Sequence, residues 1–328
     1  MTDPRFDLRS ARRVAPQAHW LDADATIEQV FPVAGPRRVG ALVDPHGVMA
    51  FVLDDAPHVI ELGSDAAEFT GAERFPTLVH RACHTSHRLF WWLDDQARWR
   101  SEILALTPRE TIVAFDVLGR NADRCVAALR RHGFGTDDLR VITFELEQGG
   151  ISRLGELVCG LHSRFATSDG CVIVAEDRTI RVFDARLVEI EHPIAEALRS
   201  IHWSSPSSFI DALQMPTISR SAYIVERAPQ GFALWLVEWT DGDPRASCLV
   251  RAPFLRWPRL SHGQDWLSIH LRPNEPAHAI PLRENHAVVC LDMPDDVGPL
   301  QSGTWMEGAH SFAATTGDAL IEWNLEDG

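Results

Sequence analysis

The densest run of metal-ligand side chains is His80-Arg81-Ala82-Cys83-His84-Thr85-Ser86-His87. On a helix, His80, Cys83, His84 and His87 would fall at i, i+3, i+4 and i+7, a set of nitrogen and sulfur donors on one face suited to tetrahedral Zn²⁺. On a strand the side chains alternate, so His80 and His84 share one face, Cys83 and His87 share the other, and the set is broken. The run from Thr77 to Ser86 leads directly into the apolar RLFWWL and reads as a strand, so no metal and no cofactor are expected. His80 and His84 remain a pair that a strand would aim together into a channel.

Carboxylates offer a second kind of chemistry. Asp54-Asp55, Asp94-Asp95, Asp137-Asp138 and Asp295-Asp296 have the composition of catalytic pairs or Ca²⁺ ligands. They recur where apolar runs break, and there Asp caps turns by accepting from nearby backbone N–H groups. The chain has no GxSxG, phosphate loop, GxGxxG after a strand, or HExxH. No residue is therefore assigned a catalytic role.

Charge narrows the partners. The formal net charge of -15 argues against nucleic acid, whose binding draws on clustered Lys and Arg that neutralise phosphates. All basic residues are arginine and none is lysine. A GC-rich coding bias accounts for this, and the surface it leaves has no ε-amine to acylate or conjugate. No run of about 18 to 20 apolar residues suggests a membrane span, and the opening MTDPRFDLRSARR lacks the apolar core of a secretory signal, so a cytoplasmic protein without a membrane partner is expected. Cys83, Cys125, Cys159, Cys171, Cys248 and Cys290 stand singly, without CxxC, and read as reduced thiols in apolar runs.

The element that would position all of this is the hairpin Cys171–Ala185, CVIVAEDRTIRVFDA: a strand, a turn at Asp177-Arg178, and a returning strand ending on Phe183-Asp184. With the turn Ser168-Asp169-Gly170 in front, it resembles the second half of a WD-repeat β-propeller blade, with Phe183-Asp184 where that family usually has Trp-Asp. The same closing pattern recurs around Asp55, Asp95, Asp138, Asp177, Asp243, Asn285 and Asp318, mostly at the spacing of about 40 to 45 residues of a four-stranded blade. The expected fold is all-β, a seven-bladed propeller of four-stranded blades.

Within that ring, residues 1–18 read as a flexible arm and 19–328 as a single domain. Ala25 to Phe31 (ATIEQVF) is expected to close the last blade by pairing with Ala319 to Leu325, leaving no open edge. Between 191 and 220 the strand signal stops. IAEALRSIHW puts Ile194, Leu198 and Ile201 on one helical face, and Ser205-Pro206 reads as a second helix start, so a helical insertion is expected. Thr111 to Leu146 reads as a blade, with a β-α-β crossover through ADRCVAALRRHG as the alternative.

This places the chain among protein-interaction scaffolds rather than enzymes. Its resemblance to bacterial propellers with decayed repeats implies an accessory subunit of a multi-protein system, ATPase-linked or defence-related systems among them. Trp203 and Phe209 in the insertion and Trp257 in FLRWPRL are the expected contact anchors, because Trp and Arg dominate binding hot spots. A channel enzyme or metal-dependent hydrolase built on His80 and His84, and a propeller binding small molecules or glycans through exposed Trp, are the alternatives.

Overall fold

The structure is a computed structural model. It describes residues 4–6, 11–20, 25–32, 37–44, 47–53, 58–63, 77–83, 86–93, 98–105, 110–118, 124–131, 138–147, 150–168, 170–215, 220–239, 244–253, 259–262, 266–270, 276–282, 287–295, 297–306 and 310–325; for 58–105 it gives the backbone alone.

Two short strands open the chain, β1 (Arg12–Val14) and β2 (Gln17–Trp20). Up-and-down sheets follow. The first is β3 (Thr26–Pro32), β4 (Arg38–Asp44), β5 (Gly47–Val52) and β6 (His58–Gly63). Next comes β7 (Thr77–Cys83), β8 (Ser86–Leu93) and β9 (Arg98–Ala105). Then come β10 (Glu110–Leu118), β11 (Arg124–Arg131), β12 (Asp138–Glu147) and β13 (Gly150–Cys159). The central hairpin lies in β14 (Arg164–Ser168), β15 (Cys171–Glu176), β16 (Thr179–Phe183) and β17 (Glu189–Ile190). A helix α1 (Pro193–Ala197) and a 3₁₀ turn (Leu198–Ser200) precede β18 (Phe209–Gln214), β19 (Ser221–Ala228), β20 (Gly231–Glu238) and β21 (Arg245–Ala252). The remainder is β22 (Arg259–His262), β23 (Trp266–His270), β24 (Ala277–Pro281), β25 (Val289–Leu291), then β26 (Ser302–Trp305), β27 (Ser311–Thr315) and β28 (Ala319–Asn324).

The chain divides into two compact units. One takes Met1–Asp7, Arg81–Phe90 and Arg100–Leu255; the other takes Leu8–His80, Trp91–Trp99 and Arg256–Gly328.

In the first unit, strand β15 of sheet β14–β17 is buried on both faces, which is why it reads as an almost unbroken apolar run. Val172 and Val174 enter a cluster with Val126, Ala128 and Val141 of the preceding sheet. Ile173 and Ala175 enter another with Ala222, Ile224 and Trp235 of the following one. The first strands of sheets β14–β17 and β18–β21 are tied directly, Arg164 Nε donating to the Asp211 carbonyl at 2.7 Å, and Ile210 N–H of β18 donates to the carbonyl of Asp177 in the β15–β16 turn at 2.7 Å. Cys159, Cys171, Cys248 and Cys290 are free thiols; burial pushes Cys159 up to about 11, keeping it protonated and unreactive.

In the second unit the core is an aromatic series, Trp266, Trp305, Phe312 and Trp323, with successive ring centres 6.4, 5.1 and 6.0 Å apart. The Trp323 indole N–H donates to the Asp292 carbonyl at 2.7 Å. Here too strands of neighbouring sheets are joined, Ile27 N–H donating to the Gly317 carbonyl at 2.7 Å.

Several expectations are corrected. The segment Ala25 to Phe31 does not pair with the last strand. It forms β3 and pairs antiparallel with β4, burying Ile27, Val30 and Phe31 in that sheet. The outer strand of the last sheet is β2, with Gln17 opposite Glu322 and Trp20 opposite Ala319. The described residues among 1–18 are accordingly not a loose arm. β1 pairs in parallel with β25, and Arg5 and Phe6 N–H groups donate to the Cys248 and Leu249 carbonyls. The insertion at 191–220 is helical only over 193–200. Ser205-Pro206 opens a turn in which the Ser205 and Ser208 backbones and hydroxyls satisfy each other locally, and FIDALQ is the strand β18. The β-α-β alternative for 111–146 is absent: ADRCVAALRRHG supplies β11, paired antiparallel on both sides.

Candidate functional site

The outer end of sheet β14–β17 is built by two tight reversals. At Asp177-Arg178 the backbone turns in two residues, with Asp177 at φ 53° and the Thr179 hydroxyl donating to the Glu176 carbonyl at 2.8 Å. At 184–188 the Asp184 carboxylate accepts from the Arg186 and Val188 N–H groups, each at 2.9 Å, and the Asp184 N–H donates to the Val188 carbonyl. The acidic half of Phe183-Asp184 is thus a turn cap. Phe183 is 1% exposed, in the core. Gly155 of β13 lets this reversal lie close, since a Cβ there would stand 2.4 Å from the Arg186 carbonyl oxygen.

From Ile190 the chain enters α1. His192 is its N-cap: Nδ1 accepts from Ile194 N–H at 3.2 Å, and Pro193 fills the first helical position. Ile194, Ala197, Leu198 and Ile201 are buried against Ile180, Val182 and Trp235. Between the sheet edge and the helix is an open cleft of about 530 Å³. Ile180, Val182 and Ile190 form one side, Ala195, Glu196 and Arg199 the other, with His192 at one end. Val188 and Ile190 are exposed. Arg181 and Glu189 also line the cleft, and Arg181 Nη2 bonds Glu189 at 2.8 Å, which holds the Glu189 carboxyl below its usual range.

His192 must be neutral to accept at Nδ1, and burial lowers its pKa; its ring meets Trp239 edge-on at 5.3 Å. The unfolded chain therefore takes up the proton first. The stability from neutral His192 is complete above its ordinary value of about 6.5 and is lost as pH falls through the depressed folded value. A thermal melt series is expected to show wild type losing stability with acidification relative to His192→Asn, which keeps a cap acceptor without titrating. Parallel pH profiles would contradict this role.

Trp203 is half-buried on the core beside α1, the packing role rather than an exposed one. Phe209 is exposed at the start of β18. Trp257 lies outside the described residues. His80 and Cys83 lie in β7 and His87 in β8, a strand backbone as read from the sequence; their side chains, and all of His84, lie outside the description. Among the described residues no three His, Cys, Asp or Glu converge in a way that could hold a metal ion. Among the described residues no helix is long and apolar enough to cross a membrane. The cleft was missed in the sequence because β17 has two residues and no period; the sign available was Val188-Glu189-Ile190, an alternating run just before the proline.

No family model and no curated protein sequence matches this chain. Solved structures do. The AfRom2 CNH domain is similar at a TM-score of 0.54 and 10% identity, over 94% of this chain and 97% of that one. PorZ, described as an essential bacterial surface component of the type-IX secretion system of Porphyromonas gingivalis, is similar at 0.53 and 12%, over 92% of this chain. The chain spans 37% of the length of PorZ. At such identities the likeness shows the fold alone, an all-β arrangement shared over most of the chain.

Proposed function

We propose that this chain is a non-enzymatic interaction scaffold, a seven-bladed propeller of WD-repeat type whose partner belongs to a multi-protein system. Support for the ring comes from up-and-down sheets of three or four successive strands, linked first strand to first strand within each unit, and from β2 completing the sheet of the last three strands. The observation that carries the docking role is the β17–α1 cleft. It is lined by exposed Ile190 with Ile180, Val182 and Ala195, and Val188 beside it is exposed as well, while Ile194, Ala197, Leu198 and Ile201 are committed to core.

The test is recovery of partners from native lysate by wild type and by Ile190→Asp. Partner loss of tenfold or more at an unchanged melting temperature is expected. Equal recovery by both proteins would remove the cleft from the interaction, and recovery lost only together with stability would make Ile190 a packing residue.

A further inference from the structure

We infer that β17 receives an extended segment of a partner protein as an added strand, with the pattern basic–apolar–basic; this rests on the docking reading above. The backbone register sets the orientation. Glu176 and Thr179 flank a two-residue turn, so they form a hydrogen-bonded pair, and along β16 the residues then alternate in the side to which their backbone points. Thr179, Arg181 and Phe183 face β15, and Ile180 and Val182 face the other way. Val182 is opposite Ile190, and Asp184 N–H donates to the Val188 carbonyl. Val188 and Ile190 therefore direct their backbone groups inward to β16, and the N–H and C=O of Glu189 point to the open side. Among the described residues nothing bonds them.

Among the described residues, two of the three edges that receive an N-terminal segment receive an arginine-bearing one, the third, β28, taking Gln17–Trp20. β25 takes Arg12-Arg13-Val14, and Arg13 bonds the Asp292 carboxylate at 2.7 Å beside that edge. The edge of β21 takes Arg5 and Phe6. At β17 the Glu189 carboxylate is paired with Arg181 and Arg199 stands on the helix side, so the acidic groups left for an incoming segment are Glu191 and Glu196, and no segment of this chain lies on the edge among the described residues. Glu191 and Glu196 are exposed and make no ion pair among the described residues. Alternation along an incoming strand would seat an apolar side chain beside Ile190 and Val188 over the cleft, and its two neighbours on the opposite face with Glu189. Basic side chains at those neighbours complement that edge, and acidic ones oppose it.

The probe is a fluorescein-labelled Arg-Val-Arg-Val-Arg-Val-Arg peptide, followed by fluorescence anisotropy against the full chain. Its controls are the same peptide with Glu for Arg, and one N-methylated at the central valine and at the two arginines beside it, which removes the ladder donors of an antiparallel and of a parallel strand alike. Saturable binding of the basic peptide is expected, weakened at least tenfold by N-methylation and by the acidic exchange. Glu189→Pro, which removes the outward N–H and leaves the bonds from Val188 and Ile190 to β16, should weaken it similarly. Should that variant melt early, the N-methylated peptide on wild type still decides the matter. Equal binding of the parent and methylated peptides overturns strand addition, and so does no binding of the basic peptide at millimolar concentration. If either holds while Ile190→Asp still abolishes partner recovery, the cleft docks its partner by another mode. Concentration-dependent dimerisation that is lost on removing residues 1–10 would instead assign the edge to a second copy, and would overturn the partner.

Discussion

Removing residues 1–20 is expected to lower the melting temperature by about 10 °C, whereas removing residues 1–10 should cost far less. The longer deletion takes away β1 and β2, the outer strands of two sheets, and with them the register from Arg12 opposite Val289 to Trp20 opposite Ala319. At roughly 0.5 to 1.5 kcal/mol net per ladder hydrogen bond, the loss is about 4 kcal/mol, and a protein of this size shifts by about 2 to 4 °C per kcal/mol. The exposed edge is not benign. Glu322 on β28 is 2% exposed and is held by Arg37 Nη2 at 3.1 and 3.2 Å, with His19 Nε2 of β2 at 3.7 Å. Without β2 that carboxylate loses its cover, and an unpaired strand faces solvent. Identical melting of the 1–20 deletion and the full chain would show that the two strands are not structural.

Glu226→Ala is expected to destabilise by about 3 kcal/mol, close to 8 °C, with Glu226→Gln intermediate. The side chain is 0% exposed on β19. It accepts from the Trp235 indole N–H at 2.8 Å and from the Ser204 N–H at 2.5 Å. Arg251 lies 5.4 Å from the Trp235 ring centre and donates to the Ser204 hydroxyl at 2.9 Å. Alanine would leave two buried donors without acceptors and a guanidinium beside them without the nearby anion. This carboxylate pins the segment after α1 to its sheet, so thermal melts followed by tryptophan fluorescence report on it directly. An Ala variant as stable as wild type would mean that the donors re-pair locally.

The all-β class was legible because hairpins carry local chemistry: CVIVAEDRTIRVF folds as the alternation and its acidic turn indicate. What misled was rank. An Asp or Asn in a tight turn marks a hairpin, and any hairpin of a sheet accepts it. Asp138 and Asp177 sit between the second and third strands of their sheets, whereas Asp243 and Asn285 fall in the intervals between third and fourth. The long interval from Asp177 to Asp243 and the short one from Asn285 to Asp318 follow from that shift as much as from α1. The N-terminal strands were illegible for a different reason. Arg12–Val14 and Gln17–Trp20 hold their places by backbone bonds to partners far along the chain, and a three- or four-residue strand has no period to read. Ile194, Leu198 and Ile201, expected on one helical face, are all buried in the core, but only Ile194 lies in α1, with Leu198 in the 3₁₀ turn and Ile201 in extended backbone after it.

Strands β1 and β2 are made long before the strands that they pair with. Trp20 waits for Ala319, about 300 residues later, which at about 5 to 20 residues per second is on the order of 15 to 60 s of synthesis. Through that interval the central sheets can form from neighbouring strands, while an arginine-rich extended segment and two sheets-to-be stay unsatisfied. A chain stalled or truncated near its C-terminus would therefore display that segment free, a state that cellular quality control can distinguish from the finished molecule.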